Sequence, residues 1–72
     1  MKFTYTAHAE IKLSERNITK RQVQESFHHY EAEAIHGGLS QKTMVVDGLE
    51  IRVVYKRLRK EYRVITVHHI DE

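Results

Sequence analysis

The chain has 72 residues, of which 40% are hydrophobic and 31% charged, and its formal net charge at pH 7 is +2. The composition is too apolar for a disordered chain, and the length allows a single domain, residues 1–72. The absence of cysteine excludes disulfides and thiolate metal sites. No apolar signal region or bilayer-length apolar run is present, so we expect a cytoplasmic protein with no membrane partner.

The N-terminal segment predicts a short edge strand followed by a helix. Residues 2–6 alternate between apolar and polar side chains, which is the period of a half-buried strand. From Ala7 the apolar spacing becomes helical, and Thr6 stands where an N-cap accepts a free amide of the first turn. The helix is expected to end near Arg16, since Asn17 tolerates the left-handed conformation that stops a helix.

A second helix follows at once. Thr19 and Gln22 have the spacing of a capping box, which marks the start of this helix. Val23, Phe27 and Tyr30 then recur at helical spacing, and this apolar stripe is expected to lie on a sheet.

Residues 31–41 show little periodicity and include two consecutive glycines. They form either a loop or an irregular strand that ends at Ile35, and we expect them to be the most flexible part of the chain. Beyond them, an Asp-Gly pair at 47–48 separates strand-like runs at 43–46 and 49–56, which predicts a hairpin with a type I′ turn. In that register every second residue from Leu49 to Tyr55 points toward the core.

The last predicted strand, residues 62–70, has β-branched side chains on both faces, as is typical of a strand in the middle of a sheet. The loop before it leaves its register open. These elements predict an α+β fold in which a short N-terminal strand and two helices pack on one face of a three- to four-stranded antiparallel meander sheet.

The first helix carries a line of basic residues. His8, Lys12 and Arg16 recur every four residues, so they lie along one side of the helix and can hold a phosphate backbone. The alternative is an ordinary solvated face, in which Glu15 pairs with Lys12 and Arg16 interacts with the helix C-terminus. On spacing alone we favour the solvated face.

His8 stands in the first helical turn, where the helix dipole disfavours a charged imidazole. A neutral histidine near cations is suited to act as a general base, although a lone histidine more often only bonds a carbonyl. Arg52 and Lys56 share the outer face of the hairpin and approach His8 if the helix crosses the end of the sheet. That set suits phosphodiester cleavage, but such a strand face is more often simply solvated.

Two pairs of adjacent histidines, at 28–29 and 68–69, suggest a zinc site at first sight. Adjacent side chains diverge on a helix and point to opposite faces of a strand, so neither pair alone chelates a metal. The sequence also lacks a glycine-rich phosphate loop and a nucleophile elbow. We therefore expect neither a metal nor a cofactor.

Three short motifs add a family resemblance, and they are Tyr5-Thr6-Ala7-His8-Ala9, Glu15-Arg16-Asn17-Ile18-Thr19 and Val64-Ile65-Thr66-Val67. Together with Val23 they resemble the small prokaryotic domain-of-unknown-function 4258 family, which usually reads Thr-x-His-Ala, Glu-Arg-Gly-Ile-Ser and Ile-Thr-Val at these places. Lys12-Leu13 stands where that family has Arg-Met, and Asn17 stands where it has glycine. The family looks like a relative of the RelE-type toxins, which are small metal-independent endoribonucleases with helices packed on an antiparallel sheet.

The resemblance implies a RelE-like endoribonuclease with RNA and a cognate antitoxin protein as partners. The candidate catalytic residues it implies are His8, Arg16, Arg52 and Thr66. In the resulting hypothesis His8 acts as general base or acid, Arg16 and Arg52 bind and stabilise the phosphate, and Lys12 and Lys56 hold neighbouring phosphates. Two other functions remain open at this point. One is a non-catalytic interaction module that self-associates or binds a partner through an edge strand, and the other is RNA binding alone.

Overall fold

The computed structural model describes residues 2–28 and 32–70. Along the chain the elements are β1 (Lys2–Tyr5), α1 (Ala7–Glu15), α2 (Lys20–Ser26), β2 (Ala32–His36), β3 (Leu39–Val46), β4 (Leu49–Arg57) and β5 (Glu61–His69). The strands form one five-stranded sheet in the order β1-β5-β4-β3-β2. The predicted α+β class is confirmed.

The predicted sheet was wrong in two respects, because it has five strands and it is mixed. β1 pairs in parallel with β5, from Lys2 opposite Glu61 to Tyr5 opposite Val64. Parallel neighbours need a long connection, and here nearly the whole chain supplies it, so no local pattern reveals the pairing. The predictions that β1 is an edge strand and that β5 lies inside the sheet are both confirmed.

The helix ends agree with their sequence signals. The Thr6 side chain accepts a hydrogen bond from the Ala9 amide, and Asn17 follows α1 with φ of 58°. Thr19 and Gln22 form both hydrogen bonds of the capping box at the start of α2. These contacts satisfy backbone groups that a helix leaves without intrahelical partners, which explains why two short helices have sharp boundaries.

The predicted hairpin between β3 and β4 is confirmed with its register. Asp47 and Gly48 have φ of 50° and 82°, as a type I′ turn requires, and Val46 pairs with Leu49. The inward residues of β4 are buried as far as Tyr55, but Leu49 is 55% exposed. The prediction of a buried Leu49 was therefore wrong, because this residue lies next to the turn, at the end of the sheet.

A second hairpin occupies most of residues 31–41. Gly37 and Gly38 have φ of 56° and 81° and connect β2 to β3. The strand interpretation of this segment was correct for residues 32–36, whereas β3 begins at Leu39, four residues before the predicted start. Glu31, and with it Tyr30 and His29, lies outside the described residues.

Both helices cover the same face of the sheet. Phe27, which directly follows α2, is the centre of an aromatic group, with its ring centroid 5.0 Å from those of Phe3 and Tyr55 and 5.2 Å from that of Tyr62. The buried cluster comprises Ala9, Leu13, Ile18, Val23, Phe27, Met44, Ile51, Val53, Tyr55, Val64 and Val67. Within the described ranges, no helix is long and apolar enough to cross a membrane.

The other face of the sheet is here called the open face, because the helices bury none of their core side chains on it. Strand alternation and register assign its central residues, which are Gln41, Thr43, Arg52, Val54, Lys56, Arg63, Thr66 and His68. It is a polar and predominantly basic surface around Val54, which is 8% exposed.

Candidate functional site

The first turn of α1 brings His8 into contact with the open face. The His8 Nε2 atom lies 3.1 Å from the Thr66 Oγ1 atom, and His8 itself is exposed. Since a hydroxyl both donates and accepts, Thr66 can hold either tautomer of the imidazole. The structure thus joins two of the four predicted catalytic residues, which are far apart in the sequence.

A bulge in β5 lies directly beside this contact. Val54 pairs with Thr66 while Tyr55 pairs with Val64, so Ile65 is an extra residue in the ladder. The hydroxyl of Thr6 donates to the Ile65 carbonyl at 2.9 Å. Bulges redirect side chains locally and are frequent near functional sites. Here the bulge lies where β1 ends, and the Thr6 contact fixes the start of α1 beside it.

Two basic cross-strand pairs flank the position of Thr66. Arg52 pairs with His68 on one side, and Lys56 pairs with Arg63 on the other. Directly opposite side chains in an antiparallel pair have Cβ atoms about 4.5–5.5 Å apart, so the members of each pair are close neighbours. The structure therefore places Arg52 and Lys56 on the same surface as Thr66, as the predicted site requires.

The charge on this surface is only partly balanced. Arg63 Nη2 lies 3.7 Å from Glu61 Oε2, and the same carboxylate oxygen accepts a hydrogen bond from Thr4. Within residues 2–28 and 32–70, neither Arg52 nor Lys56 forms an ion pair. Lys56 and Arg63 are like charges directly opposite each other, and such pairs destabilise a sheet, so this position favours the binding of an anion.

The remaining predicted residues lie along α1, away from Thr66. Lys12 Nζ is 3.2 Å from Glu15 Oε1, and Arg16 Nη1 is 3.7 Å from the same oxygen. Lys12 is one helical turn from His8, whereas Arg16 is about 12 Å along the helix axis. The Arg16 side chain is only 14% exposed and faces a shallow cavity near Asp47. The structure therefore does not bring Arg16 together with His8.

Sequence reasoning missed two features. His68 was considered only as part of a zinc pair, although the strand period places it on the face of Thr66 and its neighbour His69 on the other. Lys42 was not considered at all, yet its Nζ atom is buried 2.7 Å from Glu33 Oε2. The alternation of side chains along β3 could have revealed this, since Lys42 is two residues before the inward-facing Met44 and therefore points the same way.

Glu33, Lys42 and Tyr55 form a polar group in which Glu33 contacts both other residues. Its Oε2 atom accepts hydrogen bonds from Lys42 Nζ and, at 2.8 Å, from the Tyr55 hydroxyl. These two bonds, in that order, lower the pKa of Glu33 below its ordinary value. Burial and the Glu33 carboxylate raise the pKa of Tyr55. The group lies on the helix-covered face, and its contacts indicate a structural role.

Among the described residues, no three His, Asp or Glu side chains come together in a way that can hold a metal ion. The chain matches no protein-family model, no curated protein and no solved structure. The geometry of the open face therefore carries the functional argument.

Proposed function

We propose that this chain is a RelE-like, metal-independent endoribonuclease whose open face binds the RNA backbone and whose His8 acts at the scissile phosphodiester. The single observation that carries the proposal is the contact of His8 with Thr66 on a surface that also presents Arg52 and Lys56. The arrangement of two helices on one face of a sheet agrees with what the RelE resemblance implies.

The charge distribution supports a phosphate ligand. Arg52 and Lys56 are four residues apart on β4, roughly 13 Å along the strand. Both face the side of Thr66, with Val54 between them. Two cations at this separation can contact different phosphates of an extended single strand, which places the linkage between them near His8. Binding through phosphates is sequence-independent and depends strongly on salt.

Each residue has a defined chemical role in this proposal. His8 removes the proton of the 2′-hydroxyl, and the 2′-oxygen attacks the adjacent phosphorus. Arg52 stabilises the negative charge that develops on the phosphate, Lys56 holds a neighbouring phosphate, and Thr66 orients the imidazole of His8. The bond from phosphorus to the 5′-oxygen breaks, so the products are a 2′,3′-cyclic phosphate and a 5′-hydroxyl end. Because the nucleophile is the 2′-hydroxyl of the RNA, the proposed step does not need a metal-bound water.

The direct test is cleavage of RNA by the purified protein in the presence of EDTA, with the product ends identified by mass spectrometry. We expect cyclic-phosphate ends, and we expect His8→Ala to reduce the rate by about 10²–10⁴-fold. The matched control is His28→Ala, which removes an exposed histidine from the end of α2. A folded wild-type protein that leaves RNA intact, or full activity in His8→Ala, would refute the proposal.

The proposed role of Arg52 as a phosphate-binding cation is tested with a matched control variant. Arg52→Met is expected to weaken RNA binding and to lower the steepness of its salt dependence. Arg21→Met removes a cation of α2 that is 88% exposed and pairs with Glu25 on the helix surface. Because Arg21 lies on the opposite side of the sheet from the open face, its loss is expected to leave binding unchanged.

The second candidate function is a non-catalytic module that self-associates through an edge strand. β2 pairs with β3 only, contains neither lysine nor proline, and exposes 68% of Ile35. Apart from Glu33, the described part of this edge has no charged or proline residue of the kind that usually blocks pairing with another strand. This function predicts a dimer that Ile35→Lys dissociates in sedimentation experiments, together with the absence of RNA cleavage.

A further inference from the structure

We infer that His68 is the general acid of the same reaction, donating a proton to the 5′-oxygen that leaves. This inference rests on the proposed function and names a residue that neither the motifs nor the resemblance included. The proposed set of His8, Arg52 and Lys56 provides a base and two cations. An arginine holds its proton too tightly to be an efficient acid at neutral pH, whereas an imidazolium is well suited to this step.

The position of His68 fits this role. It is two residues from Thr66 on β5 and faces the same side, so their Cα atoms are about 6.7 Å apart. The imidazole of His8 contacts Thr66, which makes the two histidines neighbours on the open face. A phosphate bound between the two histidines has His8, the base, on one side and His68, the acid, on the other.

Arg52 completes the geometry, because it lies directly opposite His68 on β4. Its guanidinium is available to the non-bridging oxygens of the same phosphate. The adjacent His69 pairs with Ile51, which is fully buried, and therefore faces the helix-covered side. The strand period thus separates the two neighbouring histidines into one that reaches the open face and one that does not.

The step is balanced in protons and electron pairs. The 2′-oxygen gives its proton to His8 and forms a bond to phosphorus, while the bond from phosphorus to the 5′-oxygen breaks. His68, initially protonated, transfers its proton to that 5′-oxygen. His8 ends protonated and His68 neutral, and exchange with water restores both.

The test uses two short RNA substrates that differ by one atom. After the cleaved linkage of an ordinary RNA has been located, the same RNA is prepared with sulfur in place of the 5′-bridging oxygen at that linkage. A thiolate leaves without being protonated, so this substrate does not need a general acid. The proteins compared are the wild type, His68→Gln, His68→Asn, His8→Gln and the control His69→Gln.

We expect both His68 variants to cleave ordinary RNA about 10²-fold or more slowly than the wild type. On the sulfur substrate we expect them to come within about tenfold of the wild type, whereas His8→Gln stays slow on both substrates. This recovery shows that a slow variant is folded, since a merely structural defect slows both reactions. His69→Gln is expected to behave as the wild type.

Two outcomes would overturn the assignment of His68. One is a normal rate of its variants on ordinary RNA, and the other is an equal loss on both substrates by folded variants. The proposed function fails differently, through a folded wild-type protein that cleaves neither substrate.

Discussion

Thr6 connects the start of α1 to the bulge of β5 through a single hydroxyl group. That hydroxyl donates to the Ile65 carbonyl at 2.9 Å and accepts from the Ala9 amide at 3.0 Å. The Thr6 amide also donates to the Val64 carbonyl at 3.1 Å. One residue therefore ends β1, caps the helix and satisfies the carbonyl of the bulged residue, and His8 follows two positions later.

The Thr6 hydroxyl is expected to matter for both stability and site geometry. Thr6→Ala removes the cap and the partner of the Ile65 carbonyl, which should lower the free energy of unfolding by about 1–3 kcal/mol. Urea denaturation followed by circular dichroism measures this change. Thr6→Ser retains the hydroxyl and should lose less than half as much. Equal losses in the two variants would show that the methyl group, and not the hydroxyl, is responsible.

Thr66 is expected to act as a positioning residue for His8. Thr66→Val preserves the shape of the side chain but cannot bond the imidazole Nε2 atom, and a displaced catalytic group typically costs up to about 10²-fold in rate. Thr66→Ser should recover most of the activity. The measurement is kcat for RNA cleavage, and thermal melts check that the variants being compared are equally stable. Slow cleavage in both variants would assign Thr66 a packing role instead.

The two ends of the inward-facing row of β4 should respond differently to truncation. Ile51 is fully buried, so Ile51→Ala is expected to lower the free energy of unfolding by about 2–5 kcal/mol. Leu49 is 55% exposed, and Leu49→Ala should change it by about 0.5 kcal/mol or less. Chemical denaturation of both variants tests the placement of the row. A large loss of unfolding free energy in Leu49→Ala would instead support the expectation, drawn from strand alternation, that Leu49 lies in the core.

Asn17 offers a test of backbone conformation. Its φ of 58° is unfavourable for an ordinary side chain, so Asn17→Ala should lower stability by about 1 kcal/mol. Asn17→Gly removes the side chain without that conformational penalty and should stay within about 0.5 kcal/mol of the wild type. The comparison uses thermal melts of the two variants, and an alanine variant as stable as the glycine variant would contradict it.

Glu33 is expected to make stability depend on pH in the acid range. Its pKa is lower in the folded than in the unfolded chain, so its contribution is fully present above the ordinary value of 4.5. The contribution is lost as pH falls through the lowered pKa of the folded state. Glu33→Gln should therefore be less stable than the wild type near neutral pH, where Lys42 lacks its carboxylate partner. Because the Glu33 side chain is 38% exposed and solvent screens the pair, the expected loss is about 0.5–1 kcal/mol.

Denaturation of Glu33→Gln and the wild type at several pH values between neutrality and strong acid checks the sign. The difference between the two proteins should shrink as pH falls, because the wild-type carboxyl also becomes neutral. The matched control is Glu25→Gln, which removes an exposed carboxylate that pairs with Arg21 on the surface of α2. A stability difference between Glu33→Gln and the wild type that does not vary with pH would contradict the lowered pKa of Glu33.

Local chemistry explains which parts of the fold could be predicted. The Asp-Gly turn, the capping box at Thr19 and the left-handed Asn17 are each encoded within a few residues, and all three are confirmed. The pairing of β1 with β5 joins residues from opposite ends of the chain, and the bulge at Ile65 lies in the pairing of β5 with β4. Neither leaves a periodic signal in the sequence.

In the candidate site, too, some features could be predicted from local sequence and others could not. Strand alternation placed Arg52 and Lys56 on one face, whereas the contact of His8 with Thr66 needs the bulge, the parallel pairing and the position of α1 together. Thr66 entered the predicted site only through a family resemblance, whereas His8 was also indicated by its place in the first turn of the predicted helix. The burial of Lys42 escaped prediction because the predicted strand began at residue 43, one residue too late to include it. Its partner, Glu33, belongs to a segment with no clear period.

The pairing of Lys2 with Glu61 also has a consequence for synthesis in the cell. β1 is made before the other described strands, but the described strand with which it pairs, β5, is the last of them to emerge from the ribosome. α1, which packs mainly on β5, must wait for the same event. The hairpin of β3 and β4 can close earlier, whereas the contact of His8 with Thr66 forms only after β5 has been made. A nascent chain stalled before β5 therefore lacks the assembled site.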